Sequence, residues 1–228
     1  MKNWKEYKAI VFDLDGTLYF QKPLRLYMAA SLGFWYLFHF NKRQELSLLS
    51  KFRKVRENWI EIAKGEDAIL EGETLSEAHY RHAVKGTNIT SLQMDELVTD
   101  WMDIKPLRFL RVCRDRYLCD FIKELRKKGI TVVVYSDCPI GEKLGALLLE
   151  VDYEFSAYDE MIGTMKPDAK GLEVILETLE LSKEDVLMVG DRMEKDGESA
   201  KQVGIDYYIL ERTYWKRRKQ MKHDSYVS

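Results

Sequence analysis

The chain has 228 residues, 46% of them hydrophobic, with 36 basic and 38 acidic side chains and a formal net charge of −2. That length accommodates one large domain, or one domain carrying a smaller one, and the near-neutral balance excludes a general polyelectrolyte attraction to nucleic acid. Three cysteines, Cys113, Cys119 and Cys138, form no CxxC pair, which argues against a disulfide framework or a zinc knuckle and fits reduced thiols in a cytoplasmic protein.

The opening residues, MKNWKEYKAI, lack the long apolar core of a secretory leader. AIVFD (9–13) is then the first of three short apolar runs; the others are ITVVVYSD (130–137) and DVLMVGD (185–191). Runs without alternation predict strands buried on both faces, as in a parallel sheet covered by helices. Each ends in an aspartate, and the C-terminal edge of such a sheet is where ligands bind. IDYYIL (205–210) is predicted as a further strand. Helical spacing is read over 108–128, 168–181 and 195–203.

A βαβ unit needs roughly 30 residues, yet about 120 separate Asp15 from Ser136. The surplus lies between Lys22-Pro23 and Lys105-Pro106, read as linkers, and contains amphipathic helical patterns at 41–65, 72–86 and 91–104. The predicted organisation is an α/β core of residues 1–22 and 106–228 with an all-α insert of residues 23–105 after the first strand. Within the insert, LRLYMAASLGFWYLFHF (24–40) is interrupted by Arg25, Ser31 and His39 and falls short of the ~20 apolar residues of a bilayer span. GFWYLFHF (33–40) is apolar nearly all round as a helix, which predicts burial. An aromatic wall for a substrate and a surface for homo-oligomerisation are the alternatives, with peripheral membrane contact, aided by NKR (41–43) and KFRKVR (51–56), the least favoured. His79 and His82 are expected to be ordinary surface histidines, and Cys138 a packing or loop residue. The basic tail RTYWKRRKQMKHDSYVS (212–228) is expected to be a solvated helix end that binds no nucleic acid.

Four segments converge on the predicted sheet edge: DLDGT (13–17), YSD (135–137), MKPD (165–168) and GDRMEKD (190–196). Asp13 and Asp15 lie two apart in extended chain and so share a face. With Asp191 and Asp196 they make four carboxylates, which need a cation, and an all-oxygen set suits Mg²⁺. Lys166 adds a fixed positive charge. Ser136 and the backbone N–H groups around Asp137 are suited to holding phosphate oxygens. A carboxylate can attack phosphorus, and a second acid can protonate the leaving group and then activate water. Arg192 and Lys195, between the last two acids, are expected to be solvated.

These motifs, in this order, resemble the haloacid dehalogenase-like superfamily, in particular its phosphatases with a helical cap inserted after the first motif. They are D-x-D-G-T at Asp13 to Thr17, a strand ending in Ser136, Lys166, and G-D-x-x-x-x-D from Gly190 to Asp196. The resemblance implies a Rossmann-like open parallel sheet with helices on both faces and a cap domain. It implies Asp13 as nucleophile and Asp15 as acid/base. Ser136, Asp137 and Lys166 would lie around the phosphoryl group. Mg²⁺ would be bound by Asp13, the Asp15 main chain and Asp191, with Asp196 in support. The expected activity is hydrolysis of a small phosphorylated metabolite through an aspartyl phosphate. A phosphomutase of the β-phosphoglucomutase type is the alternative, and a non-catalytic binding protein on the same fold is less favoured.

Overall fold

The computed structural model describes residues 3–39 and 44–224. The expectations for Phe40, for the basic run 41–43 and for residues 225–228 of the tail therefore lie outside the described residues. Five strands form one parallel sheet: β1 (Ala9–Phe12), β2 (Thr131–Ser136), β3 (Tyr153–Ser156), β4 (Val186–Gly190) and β5 (Asp206–Ile209). Their spatial order is β3-β2-β1-β4-β5. Val11 lies opposite Val133 on one side and Met188 on the other. From β1 the chain builds outward through β2 and β3, then returns to the far side of β1 for β4 and β5. The C-terminal ends of β1 and β4 flank that reversal, the place where open α/β sheets bind ligands.

The pleat sends alternate residues of each strand to opposite faces. On one face, Ala9, Val11, Val133, Tyr135 and Met188 form a buried cluster with Leu172 and Ile175 of helix Lys170–Leu179 and Ala200 and Val203 of helix Glu198–Val203. On the other, Phe12 meets Trp4, which stands edge-on to Phe121 of helix Arg116–Lys127 and to Tyr208 of β5. Helices therefore cover both faces, as a Rossmann-like sheet requires.

The chain divides into two compact units, one running to Leu24 and from Phe109 onward, the other Arg25–Arg108. The second is helical. Helices Gln44–Glu57, Leu75–Val84 and Ser91–Val98 pack together around Leu49, Phe52, Ala78, Met94 and Val98. The latter two helices each begin with a capping box, Thr74 with Glu77 and Thr90 with Gln93, which satisfies two otherwise orphaned N–H groups apiece. A cavity of about 360 Å³ in this unit is lined by Trp35, Leu48, Leu97 and Trp101 together with Glu45, Glu96 and Asp100.

Several sequence expectations are corrected. Lys22-Pro23 lies in the first turn of helix Gln21–Phe38, where proline costs no hydrogen bond, and Lys105-Pro106 follows directly on the π-helical turn Thr99–Ile104 inside helical backbone that continues from Ser91 to Cys113. The single helix read over 108–128 breaks at Arg114, which bridges to Tyr19, and restarts with Asp115 as N-cap of Arg116–Lys127. The aromatic segment is not buried all round. Tyr36 is buried against Trp101, whereas Phe34, Leu37 and Phe38 are 67%, 58% and 69% exposed. His79 is fully buried, edge-on to Trp59 at 4.2 Å between ring centroids, and His82 meets the Ala68 carbonyl at 3.2 Å. Neither is the surface histidine expected. No described helix is long and apolar enough to cross a membrane.

Candidate active site

Asp13 follows β1 directly, and its N–H donates to the Val189 carbonyl at 2.8 Å, so the β1–β4 ladder holds its backbone. Gly16 then turns the chain with φ +107°, a left-handed conformation that favours glycine. A β-carbon there would lie 2.7 Å from Asp191 Oδ2, so glycine is also what allows this loop and the end of β4 to approach. Gly190 plays the same part for Asp196, whose carboxyl carbon would be 2.2 Å from a β-carbon at that position.

The close approach brings one carboxylate oxygen each from Asp13, Asp191 and Asp196 within 4.8 Å of one another, all three residues buried. Lys166, itself buried, donates its ammonium protons to Asp13 Oδ1 at 2.7 Å, to Asp196 Oδ1 at 2.6 Å and to the Tyr135 carbonyl at 3.4 Å. Burial alone would lower the Lys166 pKa, but Asp13 and Asp196 hold it well above the usual lysine range. Asp13 Oδ2 accepts from the Thr17 hydroxyl at 2.9 Å. Burial pushes the Asp13 carboxyl up to about 7, with Asp196 and Asp191 adding to the effect and Lys166 opposing it. Burial likewise raises Asp191, against the pull of Arg192 and Arg212. Asp196 Oδ2 accepts the Arg192 N–H at 3.0 Å.

Asp15 sits apart from that trio. Its carboxylate accepts a hydrogen bond from the Tyr19 hydroxyl through Oδ1, and the Lys143 ammonium lies 3.8 Å from the same oxygen. Its main-chain carbonyl accepts from Gln21 Nε2 at 2.6 Å. Ser136, at the end of β2, is fully buried and its Oγ accepts the Cys138 N–H at 3.0 Å. Asp137 accepts the Lys166 N–H at 2.9 Å and the Lys195 ammonium at 2.6 Å. Burial favours its protonated form, yet Lys166 and Lys195 hold the carboxyl below the ordinary range. Lys195 is therefore not solvated as expected but largely buried in an ion pair, and Arg192 is half-buried with Nε 3.9 Å from Asp191.

Sequence reasoning missed Tyr19 and Lys143 as partners of Asp15. The Tyr19 spacing, four residues after Asp15, was the only local signal for either. It also missed Arg212, beside Asp191, and Arg217, beneath the Gly16-Thr17 turn.

A family profile described as haloacid dehalogenase-like hydrolase matches residues 7–204. The chain belongs to the haloacid dehalogenase-like hydrolase family. Among solved structures, a 2-haloacid dehalogenase from Pseudomonas syringae pv. Tomato is 18% identical over 97% of this chain and 90% of that one, with a TM-score of 0.61. YfnB of Bacillus subtilis, provisionally assigned as a hydrolase of this class and crystallised with magnesium, is 16% identical over 90% and 87%, TM-score 0.57. A Clostridium difficile protein provisionally assigned as a phosphatase is 22% identical over 94% and 88%, TM-score 0.55. At these identities the likeness establishes the fold of this haloacid dehalogenase-like hydrolase and leaves its substrate open. No curated protein sequence matches the chain.

The carboxylate trio of this hydrolase fits a hard divalent cation. Its donors are all oxygens, and among the described residues no hydrogen bond reaches the buried Asp191 Oδ1, whose nearest cation is Arg192 Nε at 3.9 Å. A buried acceptor left without a donor is costly, and a cation is what would satisfy it. Two of the three carboxylates share the one Lys166 ammonium, and the third, Asp191, lies 3.3 Å from Arg212 Nε and 3.9 Å from Arg192 Nε.

Proposed function

We propose that this hydrolase is a Mg²⁺-dependent phosphatase of small phosphorylated metabolites, acting through an aspartyl phosphate. The observation that carries the reading is the division of labour among the carboxylates. Asp13 is locked between Lys166 and Thr17, whereas Asp15 is held separately by Tyr19. Displacing halide requires a nucleophile alone, because halide leaves without a proton. Displacing an alkoxide from phosphorus calls for an acid as well.

In this reading an Asp13 carboxylate oxygen attacks phosphorus and the bond from phosphorus to the substrate oxygen breaks. Asp15 delivers its proton to that departing oxygen. Asp15, now a carboxylate, takes a proton from a water that attacks the aspartyl phosphate, and the bond to Asp13 breaks to release phosphate. Tyr19 fixes the orientation of Asp15 through both steps. Lys166 supplies positive charge beside the nucleophile, and Ser136 with the backbone at Asp137 binds phosphoryl oxygens. Asp13, Asp191, the Asp15 carbonyl and, in support, Asp196 would hold Mg²⁺, which supplies charge neutralisation for the phosphoryl group. The helical insert, residues 23–105, would serve as the cap that selects the organic part of the substrate.

The deciding assay offers the purified protein p-nitrophenyl phosphate and 2-chloropropionate, each with Mg²⁺ and with chelator. Phosphate release that depends on Mg²⁺, without chloride release, is expected. Chloride release that survives the chelator, with no phosphate released from either the nitrophenyl ester or a panel of sugar phosphates, would overturn the reading.

A further inference from the structure

The tail expected to be a solvated basic helix contains the largest buried cation of the α/β unit. Arg217, on helix Tyr214–His223, is 0% exposed. Its Nη2 donates to the Gly16 carbonyl at 2.8 Å and its Nη1 to the Thr17 carbonyl at 2.7 Å. Nε donates to the Glu211 carbonyl at 2.6 Å, and Nη1 also lies 3.3 Å from Asp115 Oδ2. The guanidinium carbon stands 4.8 Å from the centroid of the Phe20 ring. We propose that Arg217 is a positioning residue for the reaction: its guanidinium fixes the Gly16-Thr17 backbone, and through it the Thr17 hydroxyl and the Asp13 carboxylate.

The chain of contacts is short. Gly16 and Thr17 are buried, so their carbonyls need a donor from the protein. The planar fork of arginine satisfies two adjacent acceptors at once, which a lysine ammonium does with poorer geometry. Thr17, held at its carbonyl by Arg217, places its hydroxyl on Asp13 Oδ2. Gly16, held likewise, is the residue whose backbone lies against the Asp191 carboxylate. The same C-terminal segment grips the other side of the trio, since Arg212 Nε donates to the Asp191 carbonyl at 3.0 Å and lies 3.3 Å from Asp191 Oδ2. Asp115 balances the buried charge while capping the helix that follows it, through the Leu118 N–H. Three parts of the fold thus meet on one guanidinium: the loop after β1, the N-terminus of helix Arg116–Lys127 and the turn after β5.

The inference takes its catalytic meaning from the proposed phosphatase reaction, and the test separates the two. Arg217→Ala and Arg217→Lys are made in the full chain. Amide hydrogen exchange is read over Asp13–Leu18, and kcat and KM are read with p-nitrophenyl phosphate, with and without millimolar guanidinium. Arg218→Ala serves as the control, because Arg218 is exposed and lies over the Tyr117 ring. Exchange over Asp13–Leu18 should rise by about tenfold or more in Arg217→Ala, reflecting two lost charged hydrogen bonds. The kcat should fall about 100-fold, the scale of a small misplacement of reacting groups, with KM little changed. Added guanidinium should recover much of that loss in Arg217→Ala and none in wild type, and Arg218→Ala should behave as wild type. A kcat within threefold of wild type in a folded Arg217 variant would overturn the proposal. So would exchange that rises evenly across all five strands with no recovery by guanidinium, since that marks a support of the fold as a whole. If Arg217→Ala does not fold, Arg217→Lys carries the exchange and kcat readings, without the guanidinium arm. Wild type without phosphatase activity would sink the functional reading alone, and the exchange over Asp13–Leu18 would still decide whether Arg217 holds the loop.

Discussion

Replacing Asp13 by Asn tests the nucleophile and the electrostatics of the trio together. Burial and two neighbouring carboxylates raise the Asp13 carboxyl from 3.8 to about 7. At about 1.4 kcal/mol per unit, that difference corresponds to ~4 kcal/mol by which the fold disfavours the ionised form. The pull of Lys166 is already contained in that value, and the variant retains part of the cost because the buried amide N–H groups need partners of their own. A net gain of ~1–3 kcal/mol is expected, or roughly 3–10 °C in melting temperature for a chain of this size. The sign follows from proton linkage. Between about pH 4 and pH 7 the unfolded wild type releases a proton that the fold retains, so wild-type stability is lost as pH rises through that window. Asparagine has no such proton, so its advantage is full above about pH 7 and vanishes near pH 4. Thermal melts in chelator across that range, paired with phosphate-release assays in Mg²⁺, provide the measurement. Activity should drop by at least about 10⁴-fold, the scale seen when a nucleophile is removed. Activity within tenfold of wild type, or a variant that melts lower than wild type above pH 7, would refute the reasoning.

Asp15→Asn should lose roughly 10²–10⁴-fold in turnover yet accumulate phosphorylated enzyme with p-nitrophenyl phosphate, visible as added mass after acid quench; equal losses for that ester and a sugar phosphate, with no phosphoenzyme, would reject Asp15 as the acid/base. Asp191→Asn should raise the Mg²⁺ concentration needed for half-maximal rate, and an unchanged metal dependence would count against Asp191 as a ligand. Gly16→Ala should cost ~1–3 kcal/mol in strain at a left-handed φ and push the Asp191 carboxylate aside, because the added β-carbon would lie 2.7 Å from Asp191 Oδ2; a folded Gly16→Ala protein with wild-type activity would show that the close approach is dispensable.

The central strands were legible because each is buried on both faces and so reads as an unbroken apolar run ending in an acid. β3 was not. It is a four-residue edge strand with Tyr153 and Glu154 exposed, and nothing in its pattern sets it apart from a loop. The helix break at Arg114 was hidden for a related reason: apolar spacing continues through 108–128, and the residue that interrupts it is held by partners distant in sequence, the Tyr19 backbone and the Leu147 carbonyl. The acids of the site were visible as motifs, but their counter-charges were not. Lys195 finds Asp137 58 positions away, and Arg217 finds Gly16 201 positions away. Local composition labelled both as solvated because a charge run gives no hint of a partner brought in by the fold. His79 was misjudged in the same way, its burial being set by Trp59 and Phe52 on neighbouring helices.

The strand order has a consequence for how the protein is made. β1 sits at the centre of the sheet, and Ala9 pairs with Thr131 on one side and Val186 on the other. During synthesis its first partner therefore emerges about 120 residues later, roughly 6–25 s at ribosomal rates. For that interval the apolar AIVF segment is a nascent strand without a neighbour, the kind of species that chaperones hold and that aggregates when they do not. The helical insert is synthesised within the same interval, and its contacts are internal to Arg25–Arg108 to a degree that marks it as a compact unit. Folding of the insert on the ribosome would shorten the effective loop that β1 must close.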